Sequence, residues 1–234
     1  MTDQEIFELY MAQSENVREL WKIRGSLLKD INFYTRRGDE YQVTVKTKFF
    51  SLLYSAWSEA QFIQILFTRS GFSYSEISHI LNIKKKNGIA QAWDLMLTDA
   101  MRKVGNAQTR QDLNNRLKKL KSLTKVYIAE PSELRNKIAH GEWINAINNK
   151  ANRVNPDIAK ELALLDPVEI QKRFEVHRFF GYIVRDLVQS PKNSFHQHYW
   201  TNVVALEKYL RKTAGWNIQS KKQHLSRKPV MKNS

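Results

Sequence analysis

The sequence contains no cysteine, which excludes disulfide scaffolds, thiolate zinc sites and cysteine nucleophiles. Eight glycines and five prolines in 234 residues leave few turns to separate short strands, which argues against a β-sandwich or barrel. The most apolar run, residues 49–67, contains Glu59, two glutamines and several serines, a mixture that a bilayer-spanning helix rarely accepts. The N-terminus is acidic and polar rather than a secretory signal. We therefore expect a soluble, cytoplasmic protein without a membrane association.

The positive charge is concentrated in two segments of the chain. The formal net charge is +15, and residues 102–125 carry 8 basic side chains against one acidic, while residues 208–234 carry 8 and none. Basic segments on an otherwise neutral protein predict a polyanionic partner, and the partner expected first is RNA or another nucleic acid. The alternative is a solvated helix face with a solubilising tail. The expected RNA-binding side chains are Arg110, Arg116, Lys118, Lys119, Lys121, Lys221 and Lys222.

Hydrophobic residues recur at helical spacing nearly throughout, which predicts one all-α domain over residues 1–212 and a basic, disordered tail over 213–234. Capping boxes are expected at Thr2–Glu5 and Ser73–Glu76, and Asp166-Pro167 marks another helix start. A long central helix is predicted over about 41–67, with its apolar stripe at Phe49, Leu53, Ala56, Ala60, Ile63 and Phe67. Shorter helices are predicted near 74, over 89–104 and 111–123, from Pro131, after Asp166 and over 200–212.

The segment Glu133 to Gly141 carries residues suited to RNA cleavage, on a helix whose start is predicted at Pro131. Cleavage needs a proton removed from the 2′-hydroxyl, a proton given to the departing 5′-oxygen, and stabilisation of charge on the phosphorus centre. A histidine such as His140 can serve either proton step, and Arg135 presents a planar, charged fork to phosphate oxygens. Asn136 is four residues before His140 and shares its helix face, so it is expected to orient the imidazole.

Arg135-Asn136 followed by His140 resembles the hallmark of the HEPN superfamily, in which an Arg, usually followed by Asn, Asp or His, precedes a His by four to six positions. The resemblance implies an HEPN-like helical bundle with additional short helices and a metal-independent endoribonuclease that needs no cofactor. It also implies a homodimer with a composite site, and a toxin or phage-defence effector with an antitoxin or defence-system partner. HEPN toxins silenced by nucleotidyl modification carry a Tyr two residues after the His. Glu142 stands at that position here, so the resemblance does not extend to that route of control.

Helix geometry supports the dimer, since a separation of five residues places Arg135 about 140° around the axis from His140. Two copies of this helix across a two-fold axis would bring two Arg and two His to one cleft. Glu133 and Glu59 are expected as supporting residues. Glu59, on an apolar helix, either braces Arg135 or His140 or pairs with an internal Arg or Lys.

Other histidines are weaker candidates. His177 lies on an apolar stripe and is expected to be a core residue, and the pair His196 and His198 lacks a third metal ligand. No metal site is therefore predicted. The alternative to a nuclease is a non-catalytic HEPN-like module that binds nucleic acid or a partner protein, or a helical regulatory subunit whose basic faces dock on an acidic partner.

Overall fold

Two long helices joined by a tight turn begin the fold. α1 (Asp3–Arg37) starts at Thr2, whose side chain and Glu5 form the predicted capping box. It ends at Gly38, which takes the left-handed conformation (φ 70°) that glycine adopts without steric cost. Asp39 then caps α2 (Glu40–Leu66) through the Gln42 N–H. The long central helix predicted over about 41–67 is therefore confirmed.

The computed structural model describes residues 1–148 and 150–227, and within them the chain is all-α, as predicted. The helices that follow α2 are α3 (Tyr74–Asn87), α4 (Ile89–Val104), α5 (Gln111–Thr124), a π-helical turn (Lys125–Ala129), α6 (Glu130–Ala139), α7 (Pro156–Ala163), α8 (Pro167–Gln189), α9 (Ser194–Thr213) and α10 (Ile218–Ser226). The main hydrophobic core joins residues of α2, α3, α4, α5, α8 and α9. No helix in the described part is long and apolar enough to cross a membrane.

The buried face of α2 differs from the predicted stripe. Phe50, Tyr54 and Trp57 are buried, whereas Phe49 is 46% exposed and Ala56 is exposed. α2 packs against α1, α6 and α8 and is buried around most of its circumference. Since its flanks are apolar too, hydrophobicity alone does not indicate which stripe faces the core.

The helix that carries Arg135 does not begin afresh at Pro131, which corrects the sequence prediction. α5 continues through the π-helical turn into α6, and no side chain caps α6 at its start. Pro131 has no N–H to donate to the carbonyl of Tyr127, four residues earlier, and its ring crowds that carbonyl. The turn widens there, and the hydroxyl of Tyr54 donates to the freed Tyr127 carbonyl instead.

The C-terminal segment is more ordered than the sequence predicted. α9 begins six residues before the expected start, and α10 occupies part of the tail that we expected to be disordered. Asn217 caps α10, the Ile218 N–H donates to Asp166 (2.8 Å), and Leu225 is buried. These contacts attach the basic segment to the domain. Residues 228–234 lie outside the described part of the chain.

His177 is fully buried at the centre of an aromatic cluster, which confirms it as a core residue. Its ring contacts those of Trp57, Trp93 and Phe180, and its Nδ1 lies 3.1 Å from the Tyr54 hydroxyl. Because the Tyr54 hydroxyl donates to Tyr127, a neutral His177 donates from Nδ1 to the Tyr54 oxygen. The π-helical turn is thus connected to the core through Tyr54.

Burial lowers the pKa of His177 to about 3 from its ordinary value of 6.5. In the unfolded chain this histidine takes up a proton as the pH falls through 6.5, whereas in the folded protein it stays neutral. The free energy of unfolding is therefore expected to fall by about 1.4 kcal/mol per pH unit from this group between those two pKa values, with the full stability present above the higher one.

Urea denaturation at about pH 7.5 and about pH 5.5 checks this expectation. The matched control is His177→Asn, whose amide can replace the Nδ1 donor but does not titrate. The variant should lose less stability than the wild type on acidification. Equal losses in both proteins would show that His177 does not carry the pH dependence.

Candidate active site

A cleft of about 730 Å³ opens beside α6 and collects the residues that the sequence singled out. Arg135, Asn136 and His140 line it, together with the two expected supporting carboxylates, Glu59 and Glu133. Arg135 and Asn136 project from α6 and Glu59 from α2, so the packing of α6 against α2 brings these side chains to the same cleft. All five predicted residues therefore share one surface.

Glu59 holds two cations at the side of this cleft. One carboxylate oxygen lies 2.5 Å from Nη2 of Arg135, and the other lies 3.2 Å from Nζ of Lys84. Each of the three side chains is about one-third exposed, so Glu59 is not the buried carboxylate that its apolar helix suggested. The two predicted roles of Glu59, bracing Arg135 and pairing with an internal cation, are the same contact, because the internal cation is Arg135. The arrangement fixes the guanidinium in place more than it stabilises the fold, since exposed ion pairs contribute little.

His140 occupies the C-terminal end of α6 and is exposed to solvent. Its backbone N–H donates to the Asn136 carbonyl at 3.1 Å, which holds the residue against the last helical turn. No hydrogen bond joins the side chains of Asn136 and His140 in the described structure, although both line the cleft. The expected orientation of the imidazole by Asn136 is therefore not formed in the unliganded chain.

The segment after His140 is anchored by polar contacts. The Glu142 carboxylate accepts from the Ile147 N–H at 2.6 Å and pairs with Lys137 at 3.2 Å. The hydrogen bond from Ile147, with smaller contributions from Lys137 and His140, lowers the pKa of Glu142, so a charged carboxylate lies close to His140. The indole of Trp143 donates to the Ile138 carbonyl at 3.0 Å and packs edge-on against Phe49.

The angular separation of Arg135 and His140 does not keep them apart in one chain. The cleft is wide enough that both residues line it, even though they project from different sides of the last turns of α6. The angle between the two side chains therefore does not by itself require a second protomer. The homodimer stays a prediction.

Sequence reasoning missed Lys84 and the start of α4. Lys84 belongs to a basic run, Lys84 to Lys86, in the last turn of α3. Gly88 (φ 87°) separates α3 from α4, and no side chain caps the N-terminus of α4. Gly88, Ile89 and Ala90 line the cleft beside Lys84. The first N–H groups of α4, which lack intrahelical partners, add positive potential there.

The predicted RNA-binding cations lie elsewhere, and none of the seven lines the cleft. Four form ion pairs: Arg110 with Asp112, Lys119 with Glu207, Lys121 with Asp94, and Lys222 with Glu40. Arg116 lies over the ring of Tyr199 and contacts His196. Lys221 is partly buried, and this burial lowers its pKa to about 8. Lys118 is exposed and forms no ion pair within the described residues. The two basic segments are thus partly neutralised within the fold.

His196 and His198, the pair considered as metal ligands, each contact another side chain. His198 lies 3.0 Å from Asp186, and His196 lies 3.3 Å from Arg116. Across residues 1–148 and 150–227, no group of three or more His, Asp or Glu side chains is arranged to hold a metal ion.

No family model, no curated protein and no solved structure matches this chain. The resemblance to HEPN proteins therefore rests on Arg135-Asn136 and His140, and the case for a function rests on the chemistry of the cleft that these residues line.

Proposed function

We propose that the protein is a metal-independent endoribonuclease of the HEPN type, which cleaves RNA by attack of the 2′-hydroxyl on the adjacent phosphate. The observation that carries the proposal is the convergence of Arg135, Asn136 and His140 on one open cleft. An exposed imidazole and a positioned guanidinium that line the same cleft are the minimum apparatus for this reaction. The cleft is polar and open, as access for a nucleic-acid strand requires.

Each residue has a distinct task in the proposed reaction. His140 exchanges a proton with the 2′-hydroxyl or with the departing 5′-oxygen, and Arg135 binds the non-bridging phosphate oxygens as negative charge develops on them. Lys84 adds a second positive charge at the same wall of the cleft. The products are a 2′,3′-cyclic phosphate and a 5′-hydroxyl, because the 2′-oxygen replaces the 5′-oxygen on phosphorus.

Glu59 acts as a positioning residue in this scheme. By binding Arg135 and Lys84 at once, it sets the separation of the two cations before RNA arrives. A group whose position is fixed beforehand requires less reorganisation in the transition state. Asn136 and Glu133 complete the polar lining, and Asn136 is close enough along the helix to contact the imidazole once substrate is bound.

The proposal includes the biological setting that the resemblance implies. The protein would act as a homodimer, as a toxin or phage-defence effector in the cytoplasm, restrained by an antitoxin or by another component of a defence system. RNA is its substrate in either setting.

A second candidate is a non-catalytic helical module that binds nucleic acid or a partner protein. The contact between Arg135 and Glu59 favours it, because a carboxylate 2.5 Å from Nη2 occupies a position that a phosphate oxygen would need. In this case the cleft would bind without cutting.

Incubation of purified protein with RNA in the presence of EDTA separates the two candidates. The nuclease cleaves the RNA, and the His140→Ala and Arg135→Ala variants do not. Salt-sensitive binding without cleavage by any form would favour the second candidate. Full cleavage by both variants would remove the catalytic assignment.

Mixing two inactive variants tests the composite site. If Arg135 of one protomer works with His140 of the other, a heterodimer of Arg135→Ala and His140→Ala contains one intact site. We therefore expect the mixture to recover activity toward half of the wild-type value per heterodimer. Gel filtration of the same samples measures the oligomeric state. A mixture that stays inactive while heterodimers form would show that both groups act from one chain, and a monomer that cleaves would contradict the dimer.

A further inference from the structure

A second cavity, of about 560 Å³, adjoins the cleft at α6. Glu133 and Lys137 line both spaces, so a molecule that leaves the cleft past these two side chains enters the second cavity. The rest of its lining comes from the connection between α6 and α7 and from α7 itself, namely Asn148, Lys150, Asn152, Arg153, Asn155 and Ile158. None of these residues belongs to the predicted catalytic set or to the predicted RNA-binding set.

Backbone hydrogen bonds shape the connection that forms this cavity. Asn148 and Arg153 are joined by an N–H to carbonyl bond of 3.0 Å, and the Asn155 N–H donates to Ala146 at 2.7 Å. Ile147 pairs with Val154 in an isolated antiparallel bridge. Lys137 also donates to the Ile147 carbonyl, which connects α6 to the same hairpin. The second cavity is therefore built onto the helix that carries the catalytic residues.

The lining of the second cavity suits a polyanion with hydrogen-bonding groups. Lys150 and Arg153 are exposed and take part in no ion pair within the described residues. The positive charge of Lys137 is balanced by Glu142, and Glu133 supplies the one carboxylate of the lining. Three asparagines add amide donors and acceptors. Cations bind phosphates, and amides can contact base edges, whereas Ile158 alone offers little to an apolar ligand.

We infer that this second cavity is a subsite for the nucleotides that flank the scissile phosphate in single-stranded RNA, with Lys150 and Arg153 binding the backbone. The inference rests on the proposed function, since it concerns RNA that passes through the cleft. A single strand fits because its unstacked bases can contact the asparagines while its backbone follows the two cations. The cleft holds the phosphate that is cut, and the subsite adds affinity for longer RNA.

The test compares Lys150→Ala/Arg153→Ala with Arg18→Ala/Lys29→Ala, which removes the same charges from exposed positions of α1. Binding is measured with a fluorescent single-stranded RNA of about 12 nucleotides, in a His140→Ala background so that the probe is not cut. The subsite variant should raise Kd by about tenfold and reduce the slope of log K against log salt by about 1.4, while the control changes both far less. Equal effects in the two variants would overturn the inference.

Cleavage gives an independent readout. With His140 present, the subsite variant should raise KM for the longer RNA and leave kcat nearly unchanged. It should cleave the dinucleotide UpA as fast as the wild type does, because UpA contains no phosphate other than the scissile one for Lys150 and Arg153 to bind. A loss of UpA cleavage equal to the loss on the longer RNA would contradict a flanking subsite. If the wild type cleaves neither RNA but the binding difference is found, the proposed nuclease fails while the RNA-binding subsite stands.

Discussion

Replacing His140 with alanine is expected to reduce the rate of RNA cleavage by about 10²- to 10⁴-fold, the range contributed by a positioned general acid or base. The reason is chemical rather than structural. His140 is exposed at the end of α6, and its side chain forms no hydrogen bond within the described residues. The thermal stability of His140→Ala should therefore stay close to that of the wild type while activity is lost.

The matched control for this experiment is His79→Ala, which removes an exposed histidine from α3, outside the lining of the cleft. Initial rates on a labelled RNA in EDTA measure both variants, and circular dichroism shows that both are folded. Cleavage by His140→Ala at the rate of the His79→Ala control would contradict the assigned role.

Replacing Arg135 with alanine is expected to lower kcat by about 10²- to 10³-fold, as the loss of one donor to the developing charge does in other enzymes. Arg135→Lys should restore only part of this rate, since an ammonium keeps the charge but not the planar fork. Glu59→Gln should cost less than Arg135→Ala, because it releases the guanidinium without removing it.

The control for the arginine is Arg102→Ala, which removes a side chain that is 72% exposed and lies outside the lining of the cleft. Steady-state kinetics separate the two possible effects, since loss of transition-state binding lowers kcat and loss of ground-state binding raises KM. An unchanged kcat in Arg135→Ala would show that the guanidinium does not stabilise the reaction.

Local sequence signals predicted much of the helical framework. The capping boxes at Thr2 and Ser73 and the Asp166-Pro167 start were confirmed, because a cap is a contact between residues only three or so positions apart. The core position of His177 was confirmed by its apolar stripe. These features depend on neighbours along the chain, which a sequence displays directly.

Features that depend on distant partners were not predicted. The π-helical turn needs the Tyr54 hydroxyl, which reaches Tyr127 from another helix. The order of α10 depends on Asp166, more than fifty positions earlier in the chain. The buried face of α2 is set by which helices cover it. Helical periodicity contains none of this information.

The same distinction applies to the candidate site. A short sequence motif was enough to identify three of the residues, because they are close together in the chain: Arg135, Asn136 and His140. Glu59 was identified because it is a carboxylate on an apolar helix. Lys84 was missed because it is far from Glu59 in sequence, and only the folded chain brings the two side chains together. The sequence showed that the two basic segments carry excess positive charge, but not which of their side chains are free to bind RNA. Their ion pairs with residues such as Glu207 and Asp94 form only in the folded chain.

Identification of the new RNA ends tests the central claim most directly. RNA is incubated with the wild type in EDTA, and the products are analysed by mass spectrometry beside a strand with 2′-deoxyribose at the cleavage position. The proposed chemistry predicts 2′,3′-cyclic phosphate and 5′-hydroxyl ends, with no cleavage of the deoxy strand, because the attacking 2′-oxygen is absent. Products with 5′-phosphate ends, or cleavage at the deoxy position, would contradict the mechanism assigned to Arg135 and His140.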